Sequence, residues 1–144
     1  MRLEQISIFL ENKAGRMAAL TGILAEAGVN IKALSLADTS EFGILRLIVD
    51  QKEKAEEALK AKGFTVTRTQ VVAVEIRHVI GGLHHVLEIL GNGGVNVEYM
   101  YGFPCPGLDA IMIFRFDRSE RAIELLNDQQ IRIFSEEDLG FLRA

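Results

Sequence analysis

Cysteine, proline and tryptophan are scarce in this sequence. Of its 144 residues one is cysteine, two are proline and none is tryptophan. The single Cys105 excludes a disulfide framework within one chain, and this cysteine usage is typical of proteins in a reducing compartment. We therefore expect a cytoplasmic protein without a proline-rich linker.

Long hydrophobic runs are also missing. The apolar runs extend over only a few residues, far short of the roughly 20 needed to cross a bilayer. Residues 1–10 alternate apolar and polar side chains, which is typical of a strand and not of a signal peptide. We expect no membrane insertion.

Positive charge is neither in excess nor clustered. The chain has 16 Lys and Arg residues against 20 Asp and Glu residues, for a net charge of −4. A nucleic-acid binder needs a concentrated basic surface, and the apolar segment Ile44–Val49 lacks the aromatic side chains that stack on single-stranded RNA. We expect no nucleic-acid partner.

Common catalytic and cofactor motifs are absent. Neither a Gly-x-x-x-x-Gly-Lys phosphate loop nor a Gly-x-Ser-x-Gly nucleophile elbow occurs. His84 and His85 are adjacent, so on a helix they face different directions. A metal site joining one of them to His78 or Cys105 is the alternative, but it lacks the close spacing of zinc ligands. We predict no enzyme activity, no cofactor and no metal.

The second half of the chain repeats the first. A shift of 66 positions places Gly15 on Gly81, Gly28 on Gly94 and Asn30 on Asn96. From the third strand onward the shift becomes 67, so one residue has entered the second copy, in the loop around residues 103–107. Agreement over so many positions indicates two copies of one structural unit.

Hydrophobic periodicity gives the order of elements within each copy. Alternating residues predict strands, apolar residues three and four apart predict helices, and Gly28 and Gly94 are placed to end the first helix of each copy. Asp50 with Glu53, and Asp117 with Glu120, have the spacing of capping boxes that open a second helix. The predicted strands are 6–10, 31–36, 44–49 and 64–69 in the first copy and 72–76, 97–103, 110–116 and 131–134 in the second.

The order βαββαβ, twice, predicts an α+β fold of two tandem ferredoxin-like units, each an antiparallel sheet with helices on one face. We place the first domain at 1–69 and the second at 70–144. Several strands carry apolar residues toward both faces, which is unusual for a sheet exposed to water. We therefore expect the copies to pair with each other or with a second chain, most simply in a homodimer.

The loop from the first strand to the first helix has the chemistry of an anion site. Asn12 can turn or cap the chain, Gly15 permits close backbone approach, and a helix N-terminus presents unpaired N–H groups that suit a carboxylate. The alternative, that Asn12 only caps the helix and Gly15 only makes the turn, is open for this loop alone.

Taken with the repeat, these segments resemble the ACT domain, a regulatory module that binds amino acids. The resemblance rests on Glu-Asn-Lys-Ala-Gly in the first loop and Gly-Val-Asn-Ile after the first helix, and it covers essentially the whole chain as two copies. It implies an amino acid held between two domains, by the first loop of one and the start of the second strand of the other.

The resemblance carries over to specific positions. It implies one site from Asn12, Gly15 and Asn96, and a pseudosymmetric site from His78, Gly81 and Asn30, with loop N–H groups taking the carboxylate and Asn carbonyls accepting from the ammonium. The full set of implied ligand contacts is Leu10, Asn12, Ala14, Gly15, Arg16, Asn30, Ile31, Ile76, His78, Gly81, Asn96 and Tyr99.

The two loops depart from the family pattern unequally. Ala14 stands where the family usually has Pro, whereas the second loop has His78 in place of the Asn, so we rank the Asn12 site above the His78 site. Tyr99, Tyr101 and Phe103 share one strand face; they either line a ligand pocket or cover the sheet, and packing is the more frequent role of aromatic residues.

The sequence thus predicts a non-enzymatic, amino-acid-binding regulatory protein that passes its occupancy to a metabolic enzyme or regulator. The alternative is a structural or interaction subunit without a small-molecule ligand.

Overall fold

The computed structural model describes residues 2–38, 41–105, 107 and 109–140. The chain forms two compact units. The first comprises Glu4–Thr69, and the second comprises Gln70–Ala144 together with the first three residues. The limits of independently folding domains, 1–69 and 70–144, remain our proposal.

The first unit is one βαββαβ motif. Its elements are β1 (Leu3–Glu11), α1 (Arg16–Glu26), β2 (Ile31–Asp38), β3 (Phe42–Val49), α2 (Lys52–Ala61) and the beginning of β4 (Val66–Ile76). β3 pairs antiparallel with β1 on one side and β2 on the other. The Phe9 N–H donates to the Thr65 carbonyl at 3.3 Å, beside the start of β4. The strand order β2-β3-β1-β4 is that of a ferredoxin-like sheet.

The second unit repeats this order. Its elements are the end of β4, α3 (Gly82–Asn92), β5 (Val97–Phe103), β6 (Ala110–Phe116), α4 (Ser119–Asp128), β7 (Ile133–Phe134) and α5 (Glu136–Gly140). β6 pairs with β5 and β4, and β7 pairs with the other edge of β4, all antiparallel. The predicted α+β fold of tandem ferredoxin-like units is confirmed.

β4 differs from the expectation of two separate strands, 64–69 and 72–76. The structure has one strand from Val66 to Ile76. Only Gln70 and Val71 stand between the predicted strands, and neither is a Gly or Pro that would break an extended segment. One strand therefore supplies both the last strand of the first unit and the first strand of the second.

Each unit has its own core between its sheet and its first two helices. In the first unit β1 and β3 turn alternate residues toward the helices, and these meet Leu20 and Leu24 of α1 and Ala55 and Leu59 of α2, all at most 1% exposed. In the second unit the Phe114 and Phe116 rings stack with centroids 5.1 Å apart. Gly28 and Gly94 end α1 and α3 with φ of 74° and 77°, as their sequence positions predicted.

The predicted capping boxes do not form. The residues that precede α2 and α4 are Gln51 and Arg118, and neither helix start has a side-chain cap. The Asp50 carboxylate instead accepts from the Asn30 N–H at 2.9 Å, because β2 starts beside the end of β3. Asp117 and Asn96 form the same 2.9 Å contact in the second unit.

Candidate ligand-binding site

The first loop leaves the N-terminus of α1 exposed. Gly15 precedes the helix with φ of 87°, and no side chain caps it, so the interpretation that Asn12 caps α1 is wrong. The Asn12 N–H donates to the Glu41 carbonyl at 3.0 Å, and the Ala19 N–H makes the first helical bond, to the Gly15 carbonyl at 2.9 Å. The Arg16 N–H donates to the Lys13 carbonyl at 3.3 Å, so the Met17 and Ala18 N–H groups are the ones that the helix leaves without a carbonyl partner. Asn12 and Ala18 are exposed.

The second loop has the same backbone path. Gly81 precedes α3 with φ of 80°, and the His85 N–H donates to its carbonyl at 2.9 Å. The chain then differs at Gly82, the equivalent of Arg16. A Cβ atom on Gly82 would lie 2.0 Å from the Arg77 carbonyl oxygen, so only glycine fits in this turn.

A cleft lies beside the first loop, within the first unit. It has a volume of ≈ 70 Å³ and opens to solvent. Its lining comes from the end of β1, the first loop, the first turn of α1, the end of β2 and the start of β3. The lining residues are Leu10, Glu11, Asn12, Lys13, Met17, Leu36 and Gly43.

Two charged side chains at the rim of the cleft neutralise each other. The Lys13 ammonium lies 3.1 Å from a Glu11 carboxylate oxygen, and the Arg16 Nε lies 4.0 Å from the other. The hydrogen bond and the charge of Lys13, with a smaller contribution from Arg16, hold the pKa of Glu11 below its ordinary value. Glu11 therefore stays ionised at neutral pH.

Arg16 packs beside the loop and does not line the cleft. Its guanidinium carbon lies 4.8 Å from the centre of the Phe64 ring, a cation–π contact. Its Nε atom is buried and has no hydrogen-bond partner. Of the predicted first-loop contacts, the cleft brings together Leu10 and Asn12, while Ala14, Gly15 and Arg16 lie outside its lining.

Asn30 and Ile31 lie at the opposite end of the same sheet. Ile31 pairs with Val49, whereas the other end of β2 pairs with Gly43, next to the first loop. Seven strand steps separate these ends, roughly 20 Å. One unit therefore cannot bring its own Asn12 and Asn30 together, and the predicted pairings of Asn12 with Asn96 and of His78 with Asn30 remain predictions.

The predicted contacts of the second unit are spread over its core and surface. Ile76 is 4% exposed and pairs with Ala110 in the core. His78 is exposed, and its N–H donates to an Asp109 carboxylate oxygen at 3.4 Å. A groove beside this loop is lined by Glu75, Arg77, Val79, Ile80, Gly81, Gly82, His85, Val86 and Ile131, so it includes Gly81 but neither Ile76 nor His78.

The aromatic residues of β5 pack against the sheet. Tyr101 and Phe103 are 8% and 5% exposed and pair with Ile113 and Ile111. Tyr99 is half-buried opposite Arg115. This burial agrees with the packing interpretation for Tyr101 and Phe103.

Five lining residues are not among the contacts predicted from the sequence: Glu11, Lys13, Met17, Leu36 and Gly43. Leu36 and Gly43 come from two strands, so no local motif contains them. Gly43 did carry a signal, since a glycine inside an apolar strand often marks a place where another group approaches closely.

Within the part of the chain that the structure describes, no three His, Cys, Asp or Glu residues form a group that could hold a metal ion. His84 pairs instead with Glu88, at 3.2 Å on the surface of α3. No helix among these residues is long and apolar enough to cross a membrane.

Comparison with known proteins finds one matching family and two solved structures with a similar fold. A family model described as an ACT domain pair matches residues 1–142. The solved structure of protein BT0572 from Bacteroides thetaiotaomicron is 39% identical, with a TM-score of 0.90 over 97% of this chain and 96% of that chain. Among proteins with curated functional descriptions, none matches the sequence significantly.

A second solved structure is more distant. The regulatory subunit of aspartate kinase from Thermus thermophilus, in a ligand-free form, is 16% identical, with a TM-score of 0.60 over 87% of this chain and 91% of that chain. At this identity the likeness shows the shared fold alone.

Proposed function

The chain belongs to the family of ACT domain pairs, and we propose that it is a cytoplasmic regulatory protein that binds a free amino acid between two ACT units and catalyses no reaction. The observation that carries this proposal is the cleft beside the uncapped start of α1. A small ligand with one negative and one positive group matches its surroundings.

The two charges of an amino acid have partners in the first loop. The exposed N–H groups at the start of α1 carry partial positive charge and suit the α-carboxylate. The side-chain carbonyl of Asn12 is an acceptor for the α-ammonium. The backbone turn at Gly15 holds these groups in place before the ligand arrives, which lowers the entropic cost of binding.

A second ACT unit would complete the site. Asn12 and Asn30 lie at opposite ends of one sheet, so the second-strand contact must come from another unit, as Asn96 or as Asn30 of a second copy. The free side of β2 offers such a contact, because this edge strand exposes half of Leu34 and of Leu36. We propose a homodimer whose ligand bridges two units and stabilises the arrangement in which the half-sites meet.

The first loop is the stronger candidate of the two. At the positions of Asn12, Leu36 and Gly43 the second unit has His78, Gly102 and Ala110. It therefore lacks the amide and the leucine that line the first cleft. We propose one principal site in each chain.

Thermal-shift screening of the twenty amino acids tests the proposal, with isothermal titration calorimetry on any that raise the melting temperature. We expect at least one to stabilise the protein, since a ligand at 100 times its Kd adds about 2.7 kcal/mol. Asn12→Ala should abolish this response and leave the unliganded melting temperature unchanged. Asn92→Ala, at an exposed asparagine of α3, is the matched control and should respond like the wild type.

An interaction subunit without a small ligand is the second candidate. Phe9 and Phe42, 55% and 50% exposed on the sheet face away from the helices, are the observation that favours it. If no amino acid changes the melting temperature and Asn12→Ala behaves like wild type, this second function replaces the first.

A further inference from the structure

The wall of the first cleft facing away from the loop is formed by apolar side chains. Leu10 is 3% exposed and comes from β1, Met17 is half-buried in the first turn of α1, and Leu36 is 49% exposed at the end of β2. The polar members, Glu11, Asn12 and Lys13, all come from the loop side. A ligand whose charged end contacts the loop would therefore place its side chain against Leu10, Met17 and Leu36.

The charged groups at the rim are paired with each other, so they offer no counter-ion to a charged ligand side chain. Glu11 and Lys13 already pair at 3.1 Å, and Arg16 adds a second cation on the Glu11 side. An acidic or basic side chain placed on the apolar wall would lose its hydration without gaining a new counter-ion, and this costs binding free energy.

The position of Leu36 in the cleft wall depends on Gly43. A Cβ atom at this position would lie 3.2 Å from Leu36 Cδ1 and 3.3 Å from the Ala37 carbonyl oxygen. A methyl group there would therefore press against the leucine, whereas glycine lets Leu36 lie in this place. The second unit has Ala110 there, and Gly102 in place of Leu36, so it has neither this glycine nor this leucine.

We infer that the first cleft selects amino acids with an aliphatic side chain, of the size of valine or leucine, over polar, charged and aromatic ones. This inference rests on the proposed function, because it assigns the ligand class of the same site. The small cleft disfavours a large ring, and the apolar wall disfavours a hydroxyl or amide without a hydrogen-bond partner.

Calorimetry of the full chain with glycine, alanine, valine and leucine tests the ligand class. Each buried methylene should tighten binding about fourfold. Threonine should bind at least fivefold more weakly than its isostere valine, and asparagine at least fivefold more weakly than leucine. Tightest binding of an acidic, basic, amide or aromatic amino acid would overturn the ligand class and leave the proposed function standing, whereas failure of all twenty would overturn both.

Two variants test the wall itself. Gly43→Ala should weaken leucine binding at least fivefold, while Gly22→Ala, at a helical glycine with open space around it, should leave it unchanged. Leu36→Asn keeps the size of a half-exposed side chain, should fold normally and should weaken leucine binding by a similar factor. Unchanged leucine affinity in a folded Leu36→Asn variant would contradict the inference, whatever the fate of Gly43→Ala.

Discussion

The Asp50 carboxylate accepts a hydrogen bond from the backbone N–H of Asn30 at 2.9 Å. In return, the Asp50 N–H donates to the Asn30 carbonyl at 3.2 Å. These two bonds tie the turn after α1 to the end of β3. Asp117 and Asn96 repeat both bonds at the same distances, so the residue just before the second strand is fixed in the same way in both units.

Asp50→Ala should therefore destabilise the protein. The substitution removes a charged acceptor and leaves the Asn30 N–H without it, at a cost of about 1–2 kcal/mol. Chemical denaturation measures the change. Asp128→Ala, at the exposed last residue of α4, is the control and should be neutral or slightly stabilising, because a negative charge is unfavourable at a helix C-terminus. Equal stability of Asp50→Ala and wild type would show that the carboxylate bond contributes nothing.

The capping-box error shows where local motifs fail. The spacing of Asp50 and Glu53 is correct for a box, but spacing alone says nothing of the competing donor that tertiary folding supplies. The N–H of Asn30, twenty positions away in sequence, reaches the carboxylate once β2 and β3 pair. Periodicity predicted the order of strands and helices, because each element buries one face and the spacing of its apolar residues shows this. It did not show that β4 is one continuous strand or that β7 is only Ile133–Phe134.

The candidate site was predictable only in its loop half. Asn12 and Gly15 lie three positions apart in one loop, so a motif identifies them. Leu36 and Gly43 reach the cleft through the register of β2 and β3, which depends on strand pairing. The backbone turn was therefore accessible from sequence, whereas the cleft wall required the structure.

Salt bridges between charged side chains link β4 to α2 in the first unit. They make the free energy of unfolding depend on pH. The Glu56 carboxylate bonds Lys60 at 2.8 Å and also pairs with Arg68. These bonds, Lys60 first, hold the pKa of Glu56 below its ordinary value of 4.5. Because the unfolded state binds the proton more readily, this contribution is complete well above pH 4.5 and is lost as the pH falls through the lowered pKa.

Glu56→Gln should consequently flatten the acid side of the stability profile. Between pH 7 and pH 3 the melting temperature of the wild type should fall further than that of the variant. At pH 7, 1 M salt should reduce the difference in melting temperature between the two proteins. Glu57→Gln, at an exposed neighbour on α2, is the control and should follow the wild type. Parallel profiles for Glu56→Gln and wild type would show that these salt bridges do not stabilise the folded state.

The positive φ of Gly15 gives a prediction about backbone strain. A Cβ atom here would have open space around it, so Gly15→Ala meets no steric contact and should cost only the conformational penalty of about 1–2 kcal/mol. Gly22 lies inside α1, also with open space, and Gly22→Ala should stabilise by about 0.5–1 kcal/mol. Thermal unfolding of the two variants measures both changes in stability, which should have opposite signs. A stabilising Gly15→Ala would mean that the turn does not require glycine.

The exposed edge of β2 gives a prediction about assembly. Leu34 pairs with Leu47 within the sheet and is 50% exposed toward the side that carries the helices, so Leu34→Lys places a charge at the edge through which we propose two copies meet. Light scattering after size exclusion should show a dimer for wild type and a monomer for Leu34→Lys, since a lysine there cannot be buried without losing its hydration. Phe9→Lys introduces the same charge on the opposite face of the same sheet and should remain dimeric. Dissociation by Phe9→Lys but not by Leu34→Lys would place the interface on the sheet face, away from the ligand cleft, and would remove the second copy as the source of its missing contact.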